Sequence, residues 1–144
     1  MTTTASTPRP GLVVVIVTVL VSLSMLVPGA WMWFDPASFA EFANWPHHAH
    51  FLHDAGAFQM AIGLVLLAAL RVRDVLALAL GGFLFANTLH AYNHLKDLDM
   101  GGSATDPVVL GALSVLAATG WVLRLRQVRR LRQVRTPRQD LEVA

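Results

Sequence analysis

The sequence predicts an all-α protein: an integral membrane four-helix bundle running up-down-up-down, both termini cytoplasmic, with a short interfacial helix on the external side. Three observations predict it. Hydrophobic residues make up 55% of the 144-residue chain and charged residues only 14%, whereas a soluble domain carries about 25% charge. Apolar segments recur four times, each near the length that crosses a ~30 Å hydrocarbon core. The basic residues are sorted by position, seven of the eleven lying between Arg124 and Arg138.

Residues 1–10, rich in Thr, Ser and Pro, are expected to be a disordered cytoplasmic N-terminus. The first helix, about 11–28, lies between Pro10-Gly11 and Pro28-Gly29. A cleaved signal peptide is the rival reading, because Arg9 precedes an apolar run. The stretch Pro28-Gly29-Ala30 lacks the small-residue pattern of a cleavage site. The second helix spans about 46–70, starting near Pro46, and the third about 74–95. The fourth, about 107–123, has Asp106 as N-cap and Pro107 in its first turn, a pairing that suits a helix start. Asp35-Pro36 repeats that pairing in the first connection. Phe39 and Phe42 follow at i, i+3, and Trp31, Trp33 and Trp45 flank them as in an interfacial aromatic belt. A short helix lying on the outer surface is the expectation there.

Positive charge sets direction, because Lys and Arg concentrate in cytoplasmic loops. Arg9, the turn bearing Arg71 and Arg73, and the Arg-rich tail are all cytoplasmic if there are four spans. The other two loops hold Asp35, Glu41, Asp97, Asp99 and Asp106 against the single Lys96. The chain thus reads as a multi-pass cell-membrane protein. Residues 124–144 form a basic cytoplasmic tail. It contains a tandem repeat, Arg124 to Arg129 and Arg130 to Arg135, each Arg-Leu-Arg-Gln-Val-Arg, expected to continue the fourth helix; residues 136–144 read as disordered. The expected partners of Arg124–Arg138 are anionic lipid headgroups, at about 1 kcal/mol per basic residue near the surface. Nucleic acid is not expected, since topology already accounts for the arginines. A unit this small is also expected to self-associate or to join a membrane partner.

The chain has no cysteine, which excludes disulfides, thiolate metal sites and thiol catalysis. Its chemistry concentrates in histidine. In Trp45-Pro-His-His-Ala-His-Phe-Leu-His-Asp-Ala-Gly56, a 100° helical step puts His47, His50, His53 and Asp54 within about 120° of arc. His48 falls off that face. Ala57, Ala61 and Ala68 continue the side below the cluster, where small residues let another helix approach, and Gly56 would let a neighbouring backbone come close. On the third helix, Asn87, His90, His94 and Asp97 share one face. An i, i+4 His pair can hold one metal ion.

Antiparallel helices joined near Val72 put residues whose numbers total about 144 at one height. His50 then meets His94, and Asp54 meets His90. His50, Asp54, His90 and His94 are the candidate metal ligands. His53 is a candidate fifth ligand or haem ligand, His47 a ligand at the mouth, and Asn87 an outer-shell partner, with Gln59 on another face. Imidazole and carboxylate without thiolate favour Zn²⁺, Cu²⁺ or Fe²⁺. Haem b, held by His50 with His94 or His53 with His90, is the less favoured cofactor. Two other readings stand beside the metal: a proton-linked transporter or accessory subunit whose Asp54 and histidines titrate, and a structural protein whose histidines only satisfy interfacial hydrogen bonds. Whether the chain is an enzyme is left open.

The pattern His50-x-x-His53-Asp54-x-Gly56-x-x-Gln59, with His90-x-x-x-His94-x-x-Asp97-Leu-Asp99, resembles small four-span membrane proteins of actinobacterial type, loosely grouped with DoxX-like bundles. The resemblance covers roughly residues 45–123. It implies the four-helix architecture and marks His50, Asp54, His90 and His94, and it brings no established activity.

Overall fold

A computed structural model of the chain describes residues 9–72 and 75–139. The expectations for the extreme N-terminus and for the last five residues lie outside the described residues, as does Arg73. Among the described residues every regular element is a helix: α1 (Leu12–Phe34), α2 (Pro36–Phe42), α3 (Ala49–Ala69), α4 (Leu76–Lys96) and α5 (Asp106–Gln139).

Three of these, α1, α3 and the Asp106–Arg130 part of α5, are long and apolar enough to cross a membrane. α4 matches α3 at 21 residues, about 31 Å, but is not among the three. Asn87, Thr88, His90, Asn93, His94 and Lys96 dilute its C-terminal half. Large apolar side chains face outward along the whole assembly, among them Phe58 at 71%, Leu78 at 77% and Phe85 at 69% exposure. A water-soluble monomer rarely carries contiguous apolar surface on that scale, so the exposed surface is compatible with lipid as its solvent.

α1 runs on past Pro28, where the sequence suggested a stop, to Phe34. Proline removes one helical N–H and its bond, and that loss is tolerated in apolar helices where neighbours hold the backbone. Here the neighbour is α3. Gly29 and Gly56 meet backbone to backbone: a Cβ on Gly56 would stand 2.6 Å from the Gly29 carbonyl, and one on Gly29 would stand 2.9 Å from the Gly56 carbonyl. Two turns away, Gly63 sits equally close to the Ser22 carbonyl. Small residues at a crossing allow such approach. The small residues used are Gly56 and Gly63; Ala57, Ala61 and Ala68, expected on the packing side, are exposed. The hydroxyls of Thr18 and Ser22, fully buried on α1, donate to the Val14 and Thr18 carbonyls at 2.7 and 2.6 Å, so both hydroxyls are satisfied within α1.

The remaining seams follow the same logic. Gly120 of α5 packs on Val17 of α1, and Gly81 of α4 packs on Trp121 of α5. α1 therefore runs antiparallel to α3 and α5, and α5 antiparallel to α4. The main core, Val14, Val21, Leu66, Ala69, Leu76, Leu80, Phe83 and Ala117, takes residues from all four long helices. A second cluster, Met32, Ala40 and Leu52, joins α1, α2 and α3 at the other end. α2 begins as expected, the Asp35 carboxylate accepting from the Ser38 N–H at 3.2 Å. α5 continues through the arginine repeat, as expected from its sequence, and runs on to Gln139, so residues 136–139 are helical where disorder was expected.

Candidate functional site

α3 packs mainly on α1, and α4 mainly on α5; α3 and α4 touch little. That arrangement decides where the candidate residues go. The buried residues of α3, Leu52, Gly56, Gly63, Leu66 and Ala69, centre on a face roughly 160° around the helix from His50 and Asp54, at 100° per residue. The His50–Asp54 face of α3 therefore turns away from α1. On α4 the buried stripe is Leu76, Leu80, Phe83 and Asn87, and two further steps of the same periodicity reach His90 and then His94. The α4 histidines thus belong to the side that meets α5.

The four residues of the expected constellation therefore separate into two pairs. On α3, His50 Nε2 and Asp54 Oδ2 stand 3.5 Å apart with side chains 82% and 60% exposed. On α4, the rings of His90 and His94 meet edge-on with centroids 4.6 Å apart. Among the described residues no group of three or more His, Asp or Glu is arranged to hold a metal ion. His53 tilts against the Trp33 ring at 5.4 Å. His47 is exposed. His48 caps α3, its Nδ1 accepting from the Phe51 N–H at 3.2 Å.

The sequence suggests Asp106 only as the N-cap of the last helix; α5 instead begins at Asp106 itself. In the structure its Oδ2 lies 3.5 Å from His94 Nδ1, with both side chains half-buried at 34% and 25% exposure. The same oxygen accepts from the Ser103 N–H at 2.8 Å. The carboxylate is thereby fixed at the start of α5 and held against one nitrogen of His94. Gly102 makes room for the pair: a Cβ there would meet Asp106 Oδ2 at 2.9 Å and His94 Nδ1 at 3.6 Å, and its φ of +82° favours glycine. The signal that could have found this pair is the polar density of the α4–α5 connection, which brings Asp106 back onto the α4 terminus.

A polar seam continues inward from the pair. The Asn87 amide, 4% exposed, donates to the Leu110 carbonyl at 2.7 Å and to the Ser114 hydroxyl at 2.8 Å. Thr88 donates to the same hydroxyl at 3.0 Å. Asn87 thus ties α4 to α5 rather than bonding a histidine, and its Oδ1 is buried without a partner. The Gln59 Oε1 is likewise buried and unpaired, on the side where α3 meets Gly29.

The two connections at this end are clasped together. The Gly102 N–H donates to the Asn44 carbonyl at 3.0 Å, and the Asn44 amide donates back to the Gly102 carbonyl at 3.1 Å. The clasp fixes the loop that positions Asp106.

No known protein family, curated protein or solved structure matches this chain.

Proposed function

We propose that the chain is a multi-pass membrane protein of four spans with cytoplasmic termini, and that its outer end binds a divalent transition metal through His90 and His94. The half-buried His94–Asp106 pair carries this reading. A carboxylate on one ring nitrogen of a histidine orients the ring and raises the basicity of the other nitrogen, the usual outer-shell arrangement around metal-bound imidazole. His94 presents its Nε2 in that state, and His90 lies one turn away. Two imidazoles leave coordination positions for water or for ligands from outside. Zn²⁺, Cu²⁺ and Fe²⁺ suit such donors, and haem b is the less favoured occupant. His50 and Asp54 form a separate, exposed pair in this reading. In this reading α4 also crosses the membrane, its Asn87 bonded to α5, and α2 lies on the outer surface. The likeness to small actinobacterial four-span proteins belongs to the same proposal, as does docking of the basic end of α5 on anionic lipid.

The test is metal binding by the purified protein in mild detergent, read from the visible spectrum of added Co²⁺ and from its displacement by Zn²⁺. About one equivalent, lost in His94→Ala and retained in His50→Ala, is the expected result. Less than 0.1 equivalent by a folded protein refutes it. A Soret band on adding haemin would move the assignment to haem.

A second reading is favoured by the polar seam of Asn87, Thr88 and Ser114, which leads inward from His90. In it the His94–Asp106 pair exchanges a proton and the seam hydrates a path. pH-driven flux in liposomes, abolished by Asp106→Asn and insensitive to chelators, would support this reading over the metal.

A further inference from the structure

One face of α3 is left uncovered by the rest of the chain, and it carries a heptad. His50, Asp54, Ala57, Ala61, Leu64 and Ala68 follow one another at alternating steps of four and three residues. At 100° per residue all six lie within about 40° of the His50 direction. All six are exposed. The buried face of α3, with Leu52, Gly56 and Gly63 against α1, centres roughly 160° from His50 and Asp54. Ile62, Val65 and Leu66, which α3 turns toward α4, centre about 110° from His50. The stripe therefore lies between the two neighbours and meets neither.

Alternating steps of three and four make the seam of two helices packed side by side, and alanine lets membrane helices approach closely. Alanines alone would fit many helices; the outer end of the stripe is selective. There His50 Nε2 and Asp54 Oδ2 stand 3.5 Å apart, with side chains 82% and 60% exposed. Asp54 lies about 25 Å along the axis from Arg71, just inside the outer rim of a ~30 Å hydrocarbon core. In the single chain only water at that rim solvates it, whereas ionisable groups in spans almost always face protein or a water-filled space. The pair is self-complementary. A second copy in the same bilayer shares the orientation of the first, so a twofold axis along the membrane normal sets the two stripes face to face at equal heights. Each Asp54 then has its own His50 on one side and His50 of the partner subunit on the other. Two carboxylates and two imidazoles alternate around the ring, so each charge faces its opposite.

We propose that two copies of the chain pair through this stripe of α3, with His50 and Asp54 of both copies closing the outer end of the seam. The inference rests on the membrane reading above and is independent of the metal site on α4. Close packing along Ala57, Ala61 and Ala68 holds the helices together, and the ring of His50 and Asp54 selects a second copy over other helices.

The chain has no cysteine, so single cysteines report the seam without background. Oxidation by diamide in native membranes, read on a non-reducing gel, should link Ala57→Cys and Ala61→Cys into dimers. Leu78→Cys and Phe85→Cys, exposed on α4, should stay monomeric. Dimerisation in mixed micelles, titrated by fluorescence energy transfer, should weaken about eightfold in His50→Asp and in Asp54→His, the effect of two bonds lost at ~0.6 kcal/mol each. Both side chains are exposed, so neither change disturbs packing within the chain. The two changes together exchange the members of the ring and should restore the dimer. Linking on α4 equal to that on α3, no linking at Ala57 and Ala61 in a protein retained by membranes, or single variants that pair as tightly as the wild type overturns the proposal. Release of the protein from membranes by alkaline carbonate overturns the membrane reading, and the inference with it. A dimer that persists in His94→Ala supports its independence from the metal.

Discussion

Replacing Gly56 by alanine should loosen the α1–α3 pair, although the substitution favours the helix taken alone. Glycine in a helix interior costs about 1 kcal/mol relative to alanine, so the local term is stabilising by about that much. The tertiary term opposes it. The new Cβ would stand 2.6 Å from the Gly29 carbonyl, 3.1 Å from the Met32 Cβ and 3.2 Å from the Trp33 nitrogen. Two of those three atoms are backbone, so no rotamer change relieves the clash. Bringing the closest contact from 2.6 to the ordinary 3.4 Å moves the helices apart by about 0.8 Å. A gap of 0.5–1 Å forfeits a quarter to a half of each dispersion contact, at ~0.1–0.2 kcal/mol per atom pair. Over about 50 pairs at the crossing the loss is about 2–4 kcal/mol. Subtracting the helix term leaves a net cost of about 1–3 kcal/mol, the usual range for overpacking. Gly82→Ala is the internal control, since its Cβ enters open space; it should be neutral or stabilising. Reversible unfolding in mixed micelles, or a thermal melt in detergent, measures both. A Gly56→Ala variant as stable as Gly82→Ala would refute the close crossing as a determinant of the fold.

Three further outcomes follow from the site. Asp106→Asn keeps an acceptor for the Ser103 N–H and removes the charge facing His94; it should weaken Co²⁺ binding 10–100-fold with little change in melting temperature. Asn87→Leu deletes two of the three side-chain bonds from α4 to α5 and should destabilise by about 1 kcal/mol, between the ~0.6 average and ~1.7 maximum found for bonds between membrane helices; a micelle unfolding titration reads it. Gly102→Ala forces a side chain into a left-handed backbone and against the Asp106 carboxylate, at a cost of about 1–3 kcal/mol, and should lower metal affinity as well as stability when both are titrated on the same sample.

The sequence revealed helix existence well, and the start points where an Asp-Pro pair marks them, because those depend on local chemistry; the start expected near Pro46 falls instead at Ala49, capped by His48. Asp35 with Pro36 predicted α2, and Asp106 with Pro107 predicted the beginning of α5. The end of α1 was misplaced for a local reason: Pro28 and Gly29 stop a helix in water, but here they lie against α3, where glycine serves the crossing. The four expected site residues do not come together as one group among the described residues, for a different reason. Heights along an antiparallel pair follow from counting residues, and that count put His50 level with His94. Rotation about each helix axis does not follow from counting. It is set by the partner that buries the opposite face, and α1 and α5 bury the faces of α3 and α4. Gly56 and Gly63 carried that information, since the smallest residues on α3 lie opposite His50 and Asp54. The reading that followed Ala57 and Ala61 chose the wrong face.

The same rotation explains why the two polar pairs differ in what they can do. His50 and Asp54 are one turn apart on a single helix and exposed to 82% and 60%, so water screens their attraction and either can turn away at small cost. His94 and Asp106 come from different helices, are half-buried, and share the clasped loop that fixes Asp106. A ligand bound to the free nitrogen of His94 would therefore meet an already oriented ring, and little order would be lost on binding. Binding there would also couple to the α4–α5 seam. It would stabilise the folded protein by about 2.7 kcal/mol at a hundred times the dissociation constant, whereas the same ion on His50 and Asp54 would engage α3 alone. A melting temperature that rises with added Zn²⁺ in the wild type and in His50→Ala, but not in His94→Ala, is the expected outcome. The opposite assignment would transfer the site to α3.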